Sequence, residues 1–333
     1  MLARTHQTTG DERAPATSAS LRDEVLAGLR RRPRMLPPKL FYDARGAALF
    51  DAITRLDEYY LTRTELAILH RNAATIAASI GAGSVLLEYG SGEAEKVRII
   101  LDRMRRDAAP AAYVPIDVSG AQLERVAEEL RQRYPEIPII PIAADYTSLD
   151  GLPLPRELRS ARRVAFFPGS TIGNLHPEEA RNFLERMAAD CGPGGAIILG
   201  VDLRKDPAIL HAAYNDSEGL TAEFNLNILV RLNRELGANF DPESFRHYAF
   251  YNPVAGRIEM HLVSLRRQLV DVAGECIAFE RGETIWTESS YKYTLTGLAA
   301  LAAEAGLIVD ERWTDPDELF VVARLVARQS RAR

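Results

Sequence analysis

A glycine turn between an apolar run and a helical pattern is the feature that most constrains the fold of this 333-residue chain. The apolar residues 84–87 lead into Glu88-Tyr89-Gly90-Ser91-Gly92, and helical spacing continues from Glu93 to Arg106. Open α/β sheets build nucleotide-shaped sites from this order of strand, turn and helix. The sequence therefore predicts an α/β fold with a ligand site at the turn.

The same alternation of strand and helix continues along the chain. Strands are predicted at 84–89, 112–117, 137–143, 163–168, 196–202, 307–312 and 319–325. Most of these strands are separated by helical patterns, which implies a doubly wound, mostly parallel sheet that the two late strands complete to seven. Helices are also expected at 20–31, at 44–53 and from Glu65 to Ile80, the last with Thr62 or Thr64 as its cap.

The alternation is interrupted after Asp202, which indicates a second domain. Two helical stretches precede Arg257 to Val263, whose alternation is typical of a half-buried antiparallel strand, and a further run at 268–277. We expect an α+β domain formed by 19–60 and 203–287, and a main domain formed by 61–202 and 288–330. Residues 1–18 have no apolar period and are expected to be a disordered arm.

Composition argues against several classes of partner. The chain has 41 basic and 46 acidic residues, a net charge of −5, so no basic field attracts nucleic acid. The two cysteines and six histidines form no metal-ligand pattern, so no metal is expected. No apolar run reaches the roughly 18 residues that span a bilayer, and no signal peptide is recognisable. The sequence predicts a cytoplasmic protein without a membrane partner, which we expect to be a monomer.

The glycine turn differs from a dinucleotide site in two respects. It lacks the third glycine, and its strand ends in a carboxylate, Glu88. Further acids at Glu93 and Glu95, expected in the first helical turn, would repel a pyrophosphate and attract a cationic sulfonium. Lys96 is placed to meet a ligand carboxylate. These features favour S-adenosylmethionine over a nicotinamide cofactor, although Glu88 has the alternative role of ordering the turn.

Acids also end the next two predicted strands. Asp117 follows Gly92 by 25 residues, near the offset of roughly 20 at which an acid receives a ribose diol. Asp145 and Tyr146 end the third strand, where a carboxylate can accept the adenine amino group. The alternative for both acids is chance placement in surface loops, but acids at three successive strand ends favour an adenosyl ligand.

The loop after the fourth strand, Pro168 to Asn174, is predicted to face the transferable methyl group, because ligands of open sheets lie beyond the carboxyl ends of the strands. Asn174 offers a donor and an acceptor, which suit the carboxylate or amine of a zwitterion. The alternative is that Asn174 caps the helix entered at Pro177.

Five segments carry a resemblance to a known family. They are Tyr42 to Gly46, Glu58 to Glu65, Phe167 to Asn174, Gly200 to Asp206 with Tyr214, and Thr287 to Lys292. In this order they resemble the histidine Nα-methyltransferases of ergothioneine biosynthesis, over about residues 20–326. One departure is Pro168, where the family often has a further glycine.

The resemblance implies a Rossmann-like class I methyltransferase with a second, α+β substrate-binding domain. It implies transfer of three methyl groups from S-adenosylmethionine to the α-nitrogen of L-histidine, which yields hercynine and S-adenosyl-L-homocysteine. The cofactor would lie against the glycine turn, including Glu88 and Gly92, and touch Gly90, Lys96, Asp117, Asp145 and Tyr146.

The resemblance also implies the acceptor site. Tyr59, Asn174 and Tyr214 would hold the histidine backbone beside Gly169, Tyr42 and Asn174 would act at the amine, and Met260 would line the pocket. The imidazole would be read by Glu288 and Ser290, which share one face if their segment is extended. An imidazole N–H can donate to Glu288 while the other nitrogen bonds the Ser290 hydroxyl.

Each of these residues also has a structural interpretation. The alternative for Glu288 and Ser290 is a solvated strand edge, and the alternative for Met260, Tyr59 and Tyr214 is core packing. Three other functions remain open. They are a methyltransferase of the same family acting on another amino acid or aromatic amine, a nicotinamide-dependent oxidoreductase, and a non-catalytic binding protein on a methyltransferase fold.

Overall fold

The computed structural model describes residues 18–146 and 151–328. The helices are α1 (Ser18–Arg30), α2 (Ala44–Ile53), α3 (Tyr60–Ile80), α4 (Glu95–Asp107), α5 (Gly120–Arg133), α6 (Pro177–Cys191), α7 (Pro207–Tyr214), α8 (Leu220–Leu236) and α9 (Leu295–Glu304). The strands are β1 (Arg34–Met35), β2 (Val85–Tyr89), β3 (Ala112–Asp117), β4 (Ile142–Ala143), β5 (Arg163–Phe167), β6 (Ala196–Asp202), β7 (Phe245–Asn252), β8 (Arg257–Ser264), β9 (Gln268–Val272), β10 (Glu275–Phe279), β11 (Thr284–Tyr291), β12 (Leu307–Thr314) and β13 (Phe320–Ala327).

The chain divides into two compact units. Among the described residues, the smaller comprises 18–48, Ala222–Tyr248 and Met260–Thr287, and the larger comprises 49–146, 151–221, Ala249–Glu259 and 288–328. The arm predicted at 1–18 lies outside the described residues, except for Ser18. The α+β domain was predicted to include 49–60 and 203–287, whereas 49–60, 203–221 and 249–259 lie in the larger unit. Hydrogen bonds within that unit account for the difference, since Tyr60 donates to Asp202 and Tyr214 donates to Ser290.

A seven-stranded sheet forms the centre of the larger unit, in the order β12-β13-β6-β5-β2-β3-β4. The pairs among β2 to β6 are parallel, and β13 is antiparallel to both β6 and β12. The predicted seven-stranded, mostly parallel sheet is therefore confirmed, and this strand order is that of the Rossmann-like class I fold. The order reverses between β2 and β5, which is the point where open α/β sheets bind ligands.

Apolar layers cover both faces of this sheet. Helices α6 and α9 pack Phe183, Leu184 and Leu298 on one face, and α3, α4 and α5 pack residues such as Leu69 and Leu101 on the other. Burial on both faces explains why the central strands read as nearly continuous apolar runs. It also leaves polar groups to collect at the strand ends.

Two local predictions were wrong. The strand predicted at 137–143 shrinks to β4, because Pro138 and Pro141 have no N–H to donate to a ladder. Helix α3 begins at Tyr60 rather than Glu65, so neither Thr62 nor Thr64 caps it. The Tyr60 hydroxyl donates to Asp202 at 2.8 Å, which fixes the first turn of α3 from the side.

In the smaller unit, aromatic side chains supply much of the core. Phe41 stacks on Phe224, and Phe240, Phe245 and Phe279 pack edge to face. The run at 268–277 proves to be the hairpin β9–β10. Strands β7, β8 and β11 each continue along the chain into the larger unit.

Strand β8 is not half-buried as predicted. Its residues from Ile258 to Leu262 are buried on both faces. The polar members have partners of their own, since Glu259 pairs with Arg257 at 2.8 Å and His261 stacks on Trp286.

Over the described ranges, no helix is both long and apolar enough to cross a membrane.

Candidate functional site

The glycine turn after β2 has a left-handed backbone conformation. Gly90, Gly92 and Ala94 have φ angles of 72°, 49° and 56°, a region that favours glycine. The Gly92 N–H donates to Asp117 at 3.2 Å, which ties the turn to the end of β3. A Cβ at Gly90 would lie 3.6 Å from the Tyr146 ring, so the missing side chain leaves this surface bare.

The prediction for Glu93 was wrong. Helix α4 begins at Glu95, so Glu93 lies in the turn rather than in the first helical turn. Its carboxylate accepts from Arg125 at 2.8 Å and from Gln122. Because these partners already neutralise its charge, Glu93 adds little to the attraction of a cation.

The carboxyl ends of β3 and β4 lie at the same edge of the sheet as the glycine turn. Asp117 accepts N–H bonds from Gly92 and Ser119, which fix its carboxylate beside the bare glycine turn. Asp145 and Tyr146 follow β4, and the Tyr146 ring packs among Tyr89, Phe167 and Phe183. Burial raises the pKa of Tyr146, so the ring stays neutral. A fixed carboxylate and an apolar ring beside an open turn match a ribose diol and an adenine.

Glu88 is placed differently from the other acids. It is buried with Leu86 on the face that packs against α3 and α4, and it accepts a short hydrogen bond from the Tyr113 hydroxyl. Burial raises the pKa of Glu88 to about 8. This position favours the alternative role, in which Glu88 orders the protein beneath the turn.

Lys96 takes part in an arrangement that the sequence did not reveal. Its ammonium lies 2.6 Å from Glu65, a carboxylate that is 1% exposed. Glu65 also accepts the Gly169 N–H at 2.9 Å, so one acid holds both the lysine and the loop after β5. A Cβ at Gly200 would lie 2.1 Å from the Glu65 oxygen, which explains a glycine in the middle of β6.

A second buried acid, Asp202, ends β6 and binds two lysines. Lys205 and Lys292 both pair with it, and the Tyr60 hydroxyl donates to it. Its own N–H donates to the Ser170 hydroxyl at 2.9 Å. Asp202 and Lys292 are fully buried, and sequence reasoning assigned neither a role. The only sequence signal is a lysine that follows directly on a buried strand.

Four predicted substrate residues come together beside this acid. The Tyr214 hydroxyl donates to Ser290 at 2.8 Å, and the Tyr59 and Tyr214 rings meet edge to face. Burial is the main cause that raises the pKa values of Tyr59 and Tyr214, and the charge of Glu288 raises both further. Glu288 therefore lies near the two tyrosines. Burial raises the pKa of Glu288 to about 7, and the charge of Lys292 opposes that rise.

Asn174 ends a 3₁₀ turn, Thr171–Asn174, in the loop after β5. The N-cap of α6 is His176, so the interpretation of Asn174 as that cap was wrong. Gly173 in this turn lies so close to β11 that a Cβ there would be 2.7 Å from the Tyr291 carbonyl oxygen. Asn174 is half-buried.

Tyr42 and Met260 belong to the smaller unit. Tyr42 is 46% exposed, and its ring packs edge-on to Phe224. The adjacent Asp43 accepts from the Gly46 N–H, which closes a turn behind it. Met260 is buried, and its carbonyl accepts from the Thr287 hydroxyl.

Comparison with known proteins gives a consistent result. The model of the family described as "Histidine-specific methyltransferase, SAM-dependent" matches residues 21–327. The chain is 43% identical to the histidine N-alpha-methyltransferase of Mycolicibacterium smegmatis, over 91% of this chain and 94% of that protein. It is 42% identical to the protein of the same name from Mycobacterium tuberculosis, over 89% and 91%.

A fungal relative extends the comparison. Ergothioneine biosynthesis protein 1 of Neurospora crassa is 31% identical over 92% of this chain and 35% of that longer protein. The family model spans both units of the fold and all of the residues discussed above. The chain belongs to the family of histidine-specific, S-adenosylmethionine-dependent methyltransferases.

Proposed function

We propose that this enzyme transfers three methyl groups in succession to the α-nitrogen of L-histidine and forms hercynine, the first step of ergothioneine biosynthesis. The observation that carries the proposal is the cluster of Tyr59, Tyr214, Glu288 and Ser290 in the unit that also holds the glycine turn. Family membership argues against a nicotinamide-dependent oxidoreductase or a non-catalytic protein.

On the cofactor side, the proposed contacts are Gly90, Gly92, Lys96, Asp117, Asp145 and Tyr146. When bound, S-adenosylmethionine supplies a methyl group activated by a positively charged sulfur. Asp117 would accept the ribose hydroxyls, since its carboxylate is already oriented by two N–H groups. Lys96 would meet the ligand carboxylate while Glu65 keeps the lysine in place. Glu88 would not touch the cofactor but would order the protein beneath the glycine turn through its hydrogen bond with Tyr113.

On the acceptor side, the main task of the protein is orientation, because displacement at carbon needs a neutral amine aligned with the methyl group. A peptide α-amine has a pKa of about 8, and removal from water disfavours its charged form. We assign Asn174, Tyr59 and Tyr214 to the zwitterion, beside Gly169, and Tyr42 to the amine. Tyr42, Asn174 and solvent take up the proton that leaves at each step, without a dedicated strong base.

Recognition of the imidazole is assigned to Glu288 and Ser290, with Met260 lining the pocket. Alternate residues of β11 share a face, and both side chains lie near Tyr214. With a pKa near 7, Glu288 becomes a better acceptor when a ring N–H donates to it, because that bond favours the carboxylate. Ser290 bonds the second ring nitrogen.

A second candidate is methylation of another amino acid or aromatic amine by the same site. Only a side chain with a donor and a second polar atom at imidazole spacing satisfies both Glu288 and Ser290. A panel of amino acids, with the products read by mass spectrometry, distinguishes the two. Turnover of tyrosine or tryptophan at the rate of histidine would favour the second candidate.

We also propose that the protein is a cytoplasmic monomer. Both cysteines are free, Cys191 buried and Cys276 exposed, which suits a reducing compartment. Light scattering after size-exclusion chromatography gives the mass in solution, and a mass of twice 36.9 kDa would contradict the monomer.

Calorimetric titration of histidine, with and without S-adenosylhomocysteine, tests the acceptor assignment. We expect saturable binding of histidine with the product-form cofactor present, and none of histidinol, which lacks the carboxylate. Equal binding of the two compounds would contradict the zwitterion contacts.

A further inference from the structure

Lys292 is a fully buried cation whose three N–H groups all have partners. It lies 2.7 Å from Asp202 and donates to the hydroxyls of Tyr214 at 3.0 Å and Ser290 at 2.8 Å. Tyr214 in turn donates to Ser290. An ammonium has three donors and no acceptor. Each hydroxyl therefore accepts one bond from the lysine, and the proton of Tyr214 occupies the second acceptor position of Ser290.

Counting the bonds at Ser290 gives a definite result. A serine hydroxyl has one donor and two acceptor positions. Lys292 and Tyr214 both donate to this oxygen, so both acceptor positions are occupied. The proton of Ser290 is then the one group that it can offer to a ligand. Ser290 is thereby a donor only.

We propose that Lys292 is a positioning residue that fixes Ser290 as an obligatory donor, so that the site accepts a neutral imidazole with an unprotonated nitrogen facing Ser290. This inference rests on the proposed function, in which histidine is the acceptor. Glu288 receives the ring N–H on the other side. An imidazolium, which has two N–H donors, would place a donor against the Ser290 proton.

The charge balance of the cluster supports this role. Asp202 compensates Lys292, and Lys205 together with the Tyr60 hydroxyl completes the coordination of that acid. Buried ion pairs of this kind contribute little net stability compared with apolar packing. A functional reason for retaining Lys292 is its contact with the two hydroxyls. Lys205 shares the acid, but its hydrogen bonds go to Tyr60, Asp202 and the Leu203 carbonyl.

The two lysines provide a matched pair of variants. Lys292→Met and Lys205→Met each remove one buried cation from the same acid, but only the first releases Ser290. Methylation by each variant is measured with histidine and with its pyrrole analogues. In the analogues the ring N–H is kept and the other ring nitrogen is replaced by C–H. Rates are measured against substrate concentration, with S-adenosylhomocysteine affinity as the check on folding.

We expect Lys292→Met to lower kcat/KM for histidine about tenfold, mainly through KM, since one directed hydrogen bond is lost. The pyrrole analogues, which do not use that bond, should change less than twofold. Lys205→Met should change histidine and analogues by the same factor. An equal loss for histidine and analogues in Lys292→Met would overturn the inference. Absence of histidine methylation by the wild-type enzyme would instead overturn the proposed function.

A measurement on the wild-type enzyme covers the case in which Lys292→Met does not fold. Histidine labelled with ¹⁵N in the ring is bound with S-adenosylhomocysteine at a pH of about 6, below the ordinary histidine pKa of about 6.5. We expect one protonated and one unprotonated, hydrogen-bonded ring nitrogen in the NMR spectrum. Two protonated nitrogens in the bound ligand would refute a donor-only Ser290.

Discussion

Replacement of Gly200 by alanine tests the packing of β6 against Glu65 and the loop after β5. In an ordinary strand, glycine to alanine is stabilising by roughly 0.5–1 kcal/mol, because glycine loses more backbone entropy on folding. Here the new Cβ would lie 2.1 Å from the Glu65 oxygen and 3.2 Å from the Gly169 nitrogen. The structure therefore predicts a change of the opposite sign.

The magnitude follows from what holds Glu65. Its carboxylate accepts the Gly169 N–H and pairs with Lys96, so it cannot move without breaking a buried ion pair. Breaking one partner of such a pair costs about 3–5 kcal/mol. After subtraction of the gain at the strand, we expect Gly200→Ala to lower the free energy of unfolding by about 2–4 kcal/mol.

Urea unfolding followed by tryptophan fluorescence and circular dichroism measures this change. The control is the double variant with Glu65→Ala, which removes the colliding carboxylate. We expect the second Gly200→Ala step, made in that background, to cost less than about 1 kcal/mol. A stabilising or neutral Gly200→Ala in the wild-type background would refute the reasoning, as would equal costs in both backgrounds.

Three further predictions concern single side chains. Glu288→Ala should weaken histidine binding about 5- to 150-fold in calorimetry, the equivalent of 1–3 kcal/mol. It should leave S-adenosylhomocysteine binding unchanged, and an equal loss of affinity for both ligands would make Glu288 structural. The pKa of Glu88 is raised from 4.5 to about 8, so the unfolded state ionises first and stability falls as pH rises between these values. Glu88→Gln should reduce that dependence in urea unfolding at pH 5 and 8, where Glu288 contributes in the same direction, and an unchanged slope would contradict the role of Glu88. Tyr42→Phe should slow at least one of the three methylation steps in single-turnover experiments, and unchanged rates at every step would remove Tyr42 from the reaction.

The sheet of the larger unit was predictable because its signals are local. Strands β2, β3 and β6 are short apolar runs that end at or beside an acid, β5 is an apolar run that ends before Pro168 and Gly169, and the glycine turn marks the first crossover. The β4 segment failed because Pro138 and Pro141 remove ladder donors within an otherwise apolar run. Local pattern does not show that a proline has fallen at a paired position.

The candidate site was predictable only in part. Acids at strand ends follow from the sheet, so Asp117 and its contact with the glycine turn are recoverable from spacing. The roles of Glu65 and Lys292 could not be predicted, because each acts through partners more than 25 residues away in sequence. Glu65 binds Lys96 and Gly169. Lys292 binds Asp202 and Tyr214. Long-range pairing of buried charges leaves no periodic signal.

The most direct test of the central claim is incubation of the purified enzyme with L-histidine and S-adenosylmethionine carrying a deuterated methyl group. Mass spectrometry then follows the products over time. We expect successive appearance of histidine carrying one, two and three labelled methyl groups, all on the α-nitrogen by fragmentation, with the trimethylated form as the end product. Label on the imidazole ring, or no transfer to histidine while another amine is methylated, would contradict it.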